Sequence, residues 1–212
     1  MPVFNADKAL QDQTETAVRI LKGGGVVAIP TDTLYGLAAD ALNEKAVERI
    51  FSIKGRSKGM ALHLLLADAD DIAKWAVDIP DLARLVAQRF WPGALTLVLK
   101  KGESISDAVS GGLDTIALRV PNHHVPRAIA RGLGAPITGT SANLSGSPGL
   151  MTAKAVRREF GSEVDLVIDA GDASKGLAST VLDLSGKQPR ILREGAVSLR
   201  EIEELCGESV VI

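Results

Sequence analysis

Short apolar runs alternate with amphipathic stretches of helical period along nearly the whole chain, and this alternation confines the fold to an α/β arrangement. Val26 to Ile29, Leu62 to Leu66, Ala94 to Leu99 and Thr115 to Val120 are brief and mainly apolar. Runs of that length between turn signals read as buried strands. Between and beyond them, residues 10–22, 44–53, 69–77, 81–90, 125–133 and 152–160 carry apolar side chains at helical spacing. Local punctuation agrees with this division. Gly23-Gly24-Gly25 ends the first helix in a left-handed cap, Asn43 caps the second, and Ser198 with Glu201 forms a capping box for a last one. Further strands are expected at Pro136 to Thr140, Asp165 to Ile168, Thr180 to Leu184 and Arg190 to Arg193. No repeat, low-complexity tract or linker divides the chain. The pattern predicts one α/β domain built on a single twisted, mixed sheet flanked by helices.

Composition narrows the function classes. Of 212 residues, 46% are hydrophobic and 24% charged, which suits a packed interior and excludes a disordered chain. No run approaches the ~18 apolar residues of a membrane span. Asp7, Asp12 and Glu15 interrupt the first 22 residues, which therefore lack the order of a signal peptide. Cys206 is the only cysteine, so neither an internal disulfide nor a cysteine metal cage can form. A cytoplasmic location is expected. The net charge of −2 argues against a protein that lives on nucleic-acid backbones. Its distribution is uneven, however. Thr115 to Arg158 contains no acid, whereas average density would place about five there. Arg49 to Ala67 is also acid-free and carries Arg49, Lys54, Arg56 and Lys58. Two such stretches, each holding polar loops, suggest an anion-binding cleft.

Familiar nucleotide and nucleophile motifs are absent. There is no P-loop, the triple glycine precedes a strand where a dinucleotide fingerprint would follow one, and Gly139-Thr140-Ser141 lacks the second glycine of a nucleophile elbow. Adjacent His123 and His124 point apart in most backbone conformations and are not expected to form a metal site. Polar segments interrupt the apolar alternation instead. Pro30-Thr31-Asp32-Thr33-Leu34-Tyr35-Gly36-Leu37 follows a buried strand, at the end where α/β sheets place ligands. It could hold a small polar substrate or simply form a Thr/Asp turn. Lys54-Gly55-Arg56-Ser57-Lys58-Gly59 places cations at alternate positions between glycines, suited to phosphates or to an exposed basic loop. Ser141 and Asn143 could bond a nucleotide or close an Asx turn. Ser179-Thr180 and Arg193 form a fourth group, open to explanation by a salt bridge. Arg119 lies inside an apolar strand and needs a partner there, which an anionic ligand could supply.

In this order, these segments resemble the YrdC-like family, the threonylcarbamoyl-AMP synthases. The resemblance rests on Pro-Thr-Asp-Thr-x-Tyr-Gly-Leu at 30–37, Lys-x-Arg at 54–56, Trp-Pro-Gly-x-x-Thr at 91–96 and Arg-Val-Pro at 119–121. It continues with Ser-x-Asn at 141–143, Ser-Thr-Val at 179–181 and Leu-Arg-x-Gly at 192–195, covering roughly residues 10–200. It implies a twisted α/β sheet around a large open concave cavity, and one catalytic domain over 1–212 without the further C-terminal domain some members carry.

The implied reaction joins L-threonine, bicarbonate and ATP into L-threonylcarbamoyl-adenylate and releases pyrophosphate. Partner enzymes would then transfer the threonylcarbamoyl group to a tRNA adenosine beside the anticodon. By the same resemblance, Thr33, Arg119 and Ser179 hold L-threonine, with Tyr35 and His63 beside them. Lys54 and Arg56 meet the ATP phosphates, Lys58 neighbours them, and Thr115, Ser141, Asn143 and Arg193 contact the nucleotide. Lys54 and Arg56 would act electrostatically, with Mg²⁺ carried by ATP and no resident metal or organic cofactor. The chain departs from the family at Ser57, Met60-Ala61 and Leu65, the last standing where some members have a histidine. His63 shares the strand parity of that position. The rival reading is a non-catalytic module that grips tRNA or double-stranded RNA on a basic concave surface.

Overall fold

A computed structural model of the chain describes residues 6–57, 59–173, 177–207 and 209–212. Helix α1 (Ala6–Lys22) is followed by Gly24, whose φ of 81° is the left-handed conformation a glycine adopts without penalty. The chain then enters β1 (Val27–Ile29) and, after the polar segment 30–35, returns antiparallel as β2 (Gly36–Ala38). Helix α2 (Glu44–Lys54) starts at Asn43, whose side chain accepts from the Ala46 amide at 3.3 Å, and ends at left-handed Gly55. There follow β3 (His63–Leu65), α3 (Ile72–Trp75), β4 (Ala76–Val77), α4 (Asp81–Phe90), β5 (Leu95–Lys101), α5 (Asp107–Ser110) and β6 (Thr115–Arg119). Next are α6 (His124–Leu133), β7 (Ile137–Thr138), β8 (Thr140–Ser141), α7 (Ala153–Phe160) and β9 (Leu166–Val167). The last elements are β10 (Thr180–Asp183), β11 (Arg190–Arg193) and α8 (Leu199–Cys206), which opens with the expected Ser198–Glu201 capping box.

Two mixed sheets form where one was expected. The smaller has the order β8-β2-β1-β9, and the larger runs β11-β10-β5-β6-β3-β7 with β4 on β5. The expected strand at 136–140 divides them. Gly139 cuts it into β7, which pairs with β3, and β8, which pairs with β2. A Cβ on residue 139 would lie 2.6 Å from Leu65 Cγ, so the crossing from sheet to sheet uses bare backbone. Thr138 stitches the seam: its hydroxyl donates to Leu37 O and accepts from the Ala39 amide. Strand β2 escaped the sequence reading because it is short, starts with glycine and continues a polar segment; pairing with β1 makes it a strand. Residues 69–77 are also not one helix. A 3₁₀ turn and α3 give way to β4, which the edge of β5 captures.

Alternation along the strands sorts side chains to opposite sides. Val26, Ala28, Leu64 and Leu66 enter a large core, whereas Val27, Ile29 and Leu65 enter a second one closed by α1 and α6. Leu97 and Leu118 lie in the large core as well. On the opposite face of β5, β6 and β10 the apolar group is only Val98, Ala117 and Val181, with no helix residue in it. Arg193 reaches that face through a β-bulge. Leu182 pairs with Ile191 in the large core, but Val181 pairs with Arg193, leaving Leu192 as the extra residue. Unbroken alternation would have turned Leu192 onto the polar face and Arg193 back toward the core.

Gly195 fixes the next step of the chain. A Cβ there would sit 2.3 Å from Ala178 O and 2.7 Å from the Ser179 carbonyl carbon, both backbone atoms. The Gly195 amide donates to Thr180 Oγ1 at 2.8 Å, which holds this close approach. Gly195→Ala is therefore expected to lose about 1–3 kcal/mol of stability. Urea unfolding checks this; an unchanged midpoint would contradict the tight packing of 195 on 178–179.

Candidate active site

Arg119, at the end of β6, meets the segment that leaves β1. Its Nη2 donates to the Asp32 carboxylate at 2.5 Å, its Nη1 to Thr33 Oγ1 at 3.1 Å and its Nε to Gly93 O at 2.8 Å. Both members of the ion pair are buried, with side chains 7% and 8% exposed. The hydroxyls beside it form an ordered relay. Thr31 donates to Leu34 O at 2.7 Å, so Thr33 donates to Thr31 across 2.9 Å while accepting from Arg119. The guanidinium retains further N–H donors for a ligand.

Two more arginines approach from other parts of the chain. Arg193 donates from Nε and Nη2 to Ser179 O at 3.1 and 2.7 Å, and from Nη2 to Ser179 Oγ at 3.1 Å. Ser179 Oγ also shares a hydrogen bond of 2.8 Å with fully buried Thr96. Arg56 reaches back to Ala61 O at 3.0 Å and Thr140 Oγ1 at 3.4 Å, while its Nε is buried with no partner among the described residues. These groups surround a cavity of about 200 Å³. It brings together Thr33, Tyr35, Arg56, His63, Arg119, Ser141, Ser179 and Arg193.

Lys54, Asn143 and Thr115 are not among the residues that line the cavity. Lys54 is 3% exposed, and its ammonium donates to Ser141 O at 2.5 Å, Asn143 O at 2.7 Å and Asn143 Oδ1 at 3.4 Å. Burial, then Arg56, pushes its pKa down to about 8. Expected at the phosphates, it instead clips the loop after β8 to the end of α2. Asn143 belongs to the same clip: Oδ1 accepts from Ser141 Oγ at 2.5 Å, and Nδ2 donates to Leu144 O and Ser147 O. Thr115 is four residues from Arg119 on β6, about 13 Å along the strand. Tyr35 lines the cavity, yet its ring belongs to the large core and its phenol donates to Gly171 O at 2.9 Å. Burial, then Asp169, raises that phenol's pKa. Lys58 lies outside the described residues.

Sequence reasoning passed over Asp32, Gly93 and Thr96 as site residues, although the quoted motifs contain all three. Each acts behind a residue that was singled out, so the signal lay in motif membership and not in side-chain chemistry.

The charge pattern now has a physical account. Arg49 pairs with Asp165 at 2.5 Å, Arg127 and Arg131 pair with Asp68 at 2.7 and 2.6 Å, and Arg157 reaches Asp169 at 3.4 Å. Acids outside the acid-free stretches thus pair with four of the arginines within them. Among the described residues, no carboxylate forms an ion pair with Lys54, Arg56 or Arg193. Arg56 and Arg193 line the cavity and Lys54 lies directly behind it, so positive charge without a carboxylate partner gathers there.

Comparison with known proteins identifies relatives of the chain. Residues 19–195 match the Sua5–YciO–YrdC family, described as "Telomere recombination". A threonylcarbamoyl-AMP synthase of Pyrococcus abyssi is 42% identical over 207 residues, covering 97% of this chain and 61% of that protein. One of Idiomarina loihiensis is 34% identical, over 88% of this chain and 100% of its own length. The crystal structure of P. abyssi Sua5 complexed with L-threonine shares the fold with a TM-score of 0.91 at 40% identity, over 94% of this chain and 58% of that one. E. coli YciO aligns with a TM-score of 0.79 at 28% identity, over 91% and 93% of the two chains. The chain thus spans about three fifths of the P. abyssi relative's length. Among the described residues, no helix is long and apolar enough to cross a membrane. With most of its length matched and the two-sheet fold shared, the chain belongs to the Sua5–YciO–YrdC family.

Proposed function

We propose that this chain condenses L-threonine, bicarbonate and ATP into L-threonylcarbamoyl-adenylate and releases pyrophosphate. The observation that carries the reading is the convergence of Arg56, Arg119 and Arg193 on one hydroxyl-lined cavity. Relatives named threonylcarbamoyl-AMP synthase support it, as does the family member crystallised with L-threonine.

In this reading Arg119 takes the threonine carboxylate, with Thr33 and Ser179 beside it. Arg56, Arg193 and Ser141 face the nucleotide. Lys54 and Asn143 act through the loop they hold, and Tyr35 through the backbone it anchors. A carbamate oxygen attacks the α-phosphorus, and the guanidiniums offset the charge that builds up as pyrophosphate leaves. No side-chain nucleophile is needed. Bringing the reactants together supplies roughly 7–11 kcal/mol in favourable cases. Among the described residues, no three histidine, cysteine or acid side chains cluster in a metal-binding arrangement. Mg²⁺ enters this scheme with the triphosphate, as part of the substrate. The adenylate would pass to transfer enzymes that modify tRNA adenosine beside the anticodon, in the cytoplasm. An RNA-gripping module is disfavoured because four arginines of the acid-free stretches, Arg49, Arg127, Arg131 and Arg157, are engaged with Asp165, Asp68 and Asp169.

The direct test is pyrophosphate release from the chain with L-threonine, bicarbonate and Mg-ATP, each omitted in turn; every omission is expected to abolish release. Release that persists without threonine or bicarbonate would contradict the reading. Arg56→Ala is expected to reduce release by ~10²-fold or more. The same change should alter thermal stability little, because the cost of half-burying a cation, with no partner for Nε among the described residues, offsets its two hydrogen bonds. Strong destabilisation with activity retained per folded molecule would reverse that assignment. Thr33→Val breaks the bridge between Arg119 and Thr31 and should raise KM for threonine far more than KM for ATP. Equal increases for both substrates would remove Thr33 from the amino-acid side of the site.

A further inference from the structure

We propose that His63 accepts the proton that the ammonium group of bound L-threonine loses before the carbamate forms, an inference resting on the synthase reading above. His63 stands on β3 in register with Ala117 of β6, and lines the cavity. Among the described lining residues it is the only side chain that can take up a proton near neutral pH; the rest are hydroxyls, guanidiniums, a phenol and apolar groups. Its imidazole makes no hydrogen bond within the described residues. The contrast is His123, whose Nδ1 is occupied by the Val125 amide at 3.2 Å.

The charged groups around the ring come from three elements. Arg56 belongs to the loop after α2, Arg119 to β6 with Asp32 paired to it, and Arg193 to β11. The neighbouring β7 contributes Ile137 and Thr138, neither of which titrates. Burial first, then Arg193, Arg119 and Arg56, pushes the His63 pKa down to about 4. The ring is therefore neutral at pH 7 and holds an open lone pair. Free threonine carries an ammonium, which has no lone pair for attack and is disfavoured among guanidiniums.

Filling the site changes the field. The threonine carboxylate and the triphosphate offset the three arginines, so the imidazole regains basicity when the substrates are in place. A proton then moves from the threonine nitrogen to the ring. The freed amine forms its N–C bond to bicarbonate, whose C–OH bond breaks, and that hydroxyl leaves as water with one hydrogen of the amine. The carbamate oxygen next bonds to the α-phosphorus as the bond to the pyrophosphate oxygen breaks. Once product and pyrophosphate depart, the arginines again repel the proton, and the imidazolium releases it to solvent.

His63→Gln and His63→Leu, measured for pyrophosphate release from about pH 5.5 to 8.5, test the step. The wild type should show an acid limb in kcat. Both variants should lose that limb and roughly 10²-fold in kcat, with KM for threonine changed by less than about threefold. Calorimetry of Mg-ATP binding without threonine, near pH 6 in buffers of different ionisation enthalpy, gives a readout free of turnover. The wild type should take up more protons than His63→Gln. Equal proton uptake, or either variant within about twofold of wild-type kcat, would overturn the role of His63. A wild-type chain that binds Mg-ATP yet releases no pyrophosphate with all substrates would instead overturn the synthase reading, and the proposed step with it.

Discussion

An arginine inside an apolar strand must be compensated where it is buried, and Arg119 organises the site through that requirement. Leaving such a cation unpaired would cost several kcal/mol, so Asp32 and Thr33 are drawn to the strand end. Their segment also leads from β1 to β2, so the ion pair ties the small sheet to the large one at the cavity. Gly93 O completes the cradle by accepting from Nε. The arginine is thereby aimed with little freedom left to lose on binding. Preorganisation of this kind is what electrostatic catalysis requires.

Charge is managed by the same logic over the rest of the molecule. A chain of net charge −2 keeps a cationic cavity while Arg49, Arg127, Arg131 and Arg157 outside it pair with acids from elsewhere in the sequence. Arg56 and Arg193 rest on carbonyl and hydroxyl oxygens, contacts that a phosphate can replace without leaving an orphaned carboxylate. A carboxylate in those places would compete with an anionic substrate. Lys54 differs because its ammonium is enclosed by carbonyls of the loop it anchors. It shapes the wall of the site from behind.

Much of this was legible in the sequence, to different degrees. Helices with clear caps, such as α2 after Asn43 and α8 after Ser198, follow from local chemistry that tertiary structure does not override. Strands β2 and β4 were not legible, since neighbouring strands and not their own residues make them extended. The split at Gly139 was hidden because one glycine in a short strand pattern does not reveal that its two halves pair in different sheets. Residue type and motif order pointed to the arginines and hydroxyls of the site, but not to the partners that hold them in place. Lys54 and Tyr35 carry suitable groups that burial has turned to other partners. Asp32 and Thr96 gain importance only through the neighbours they hold.

The central claim is that three guanidiniums from distant parts of the chain receive two anions side by side. A crystal structure with L-threonine and a non-hydrolysable ATP analogue bound together addresses it most directly. The account predicts the threonine carboxylate on Arg119 and the triphosphate oxygens on Arg56 and Arg193, at about 2.7–2.9 Å. A triphosphate ordered away from both Arg56 and Arg193, with those side chains still on Ala61 and Ser179, would contradict it.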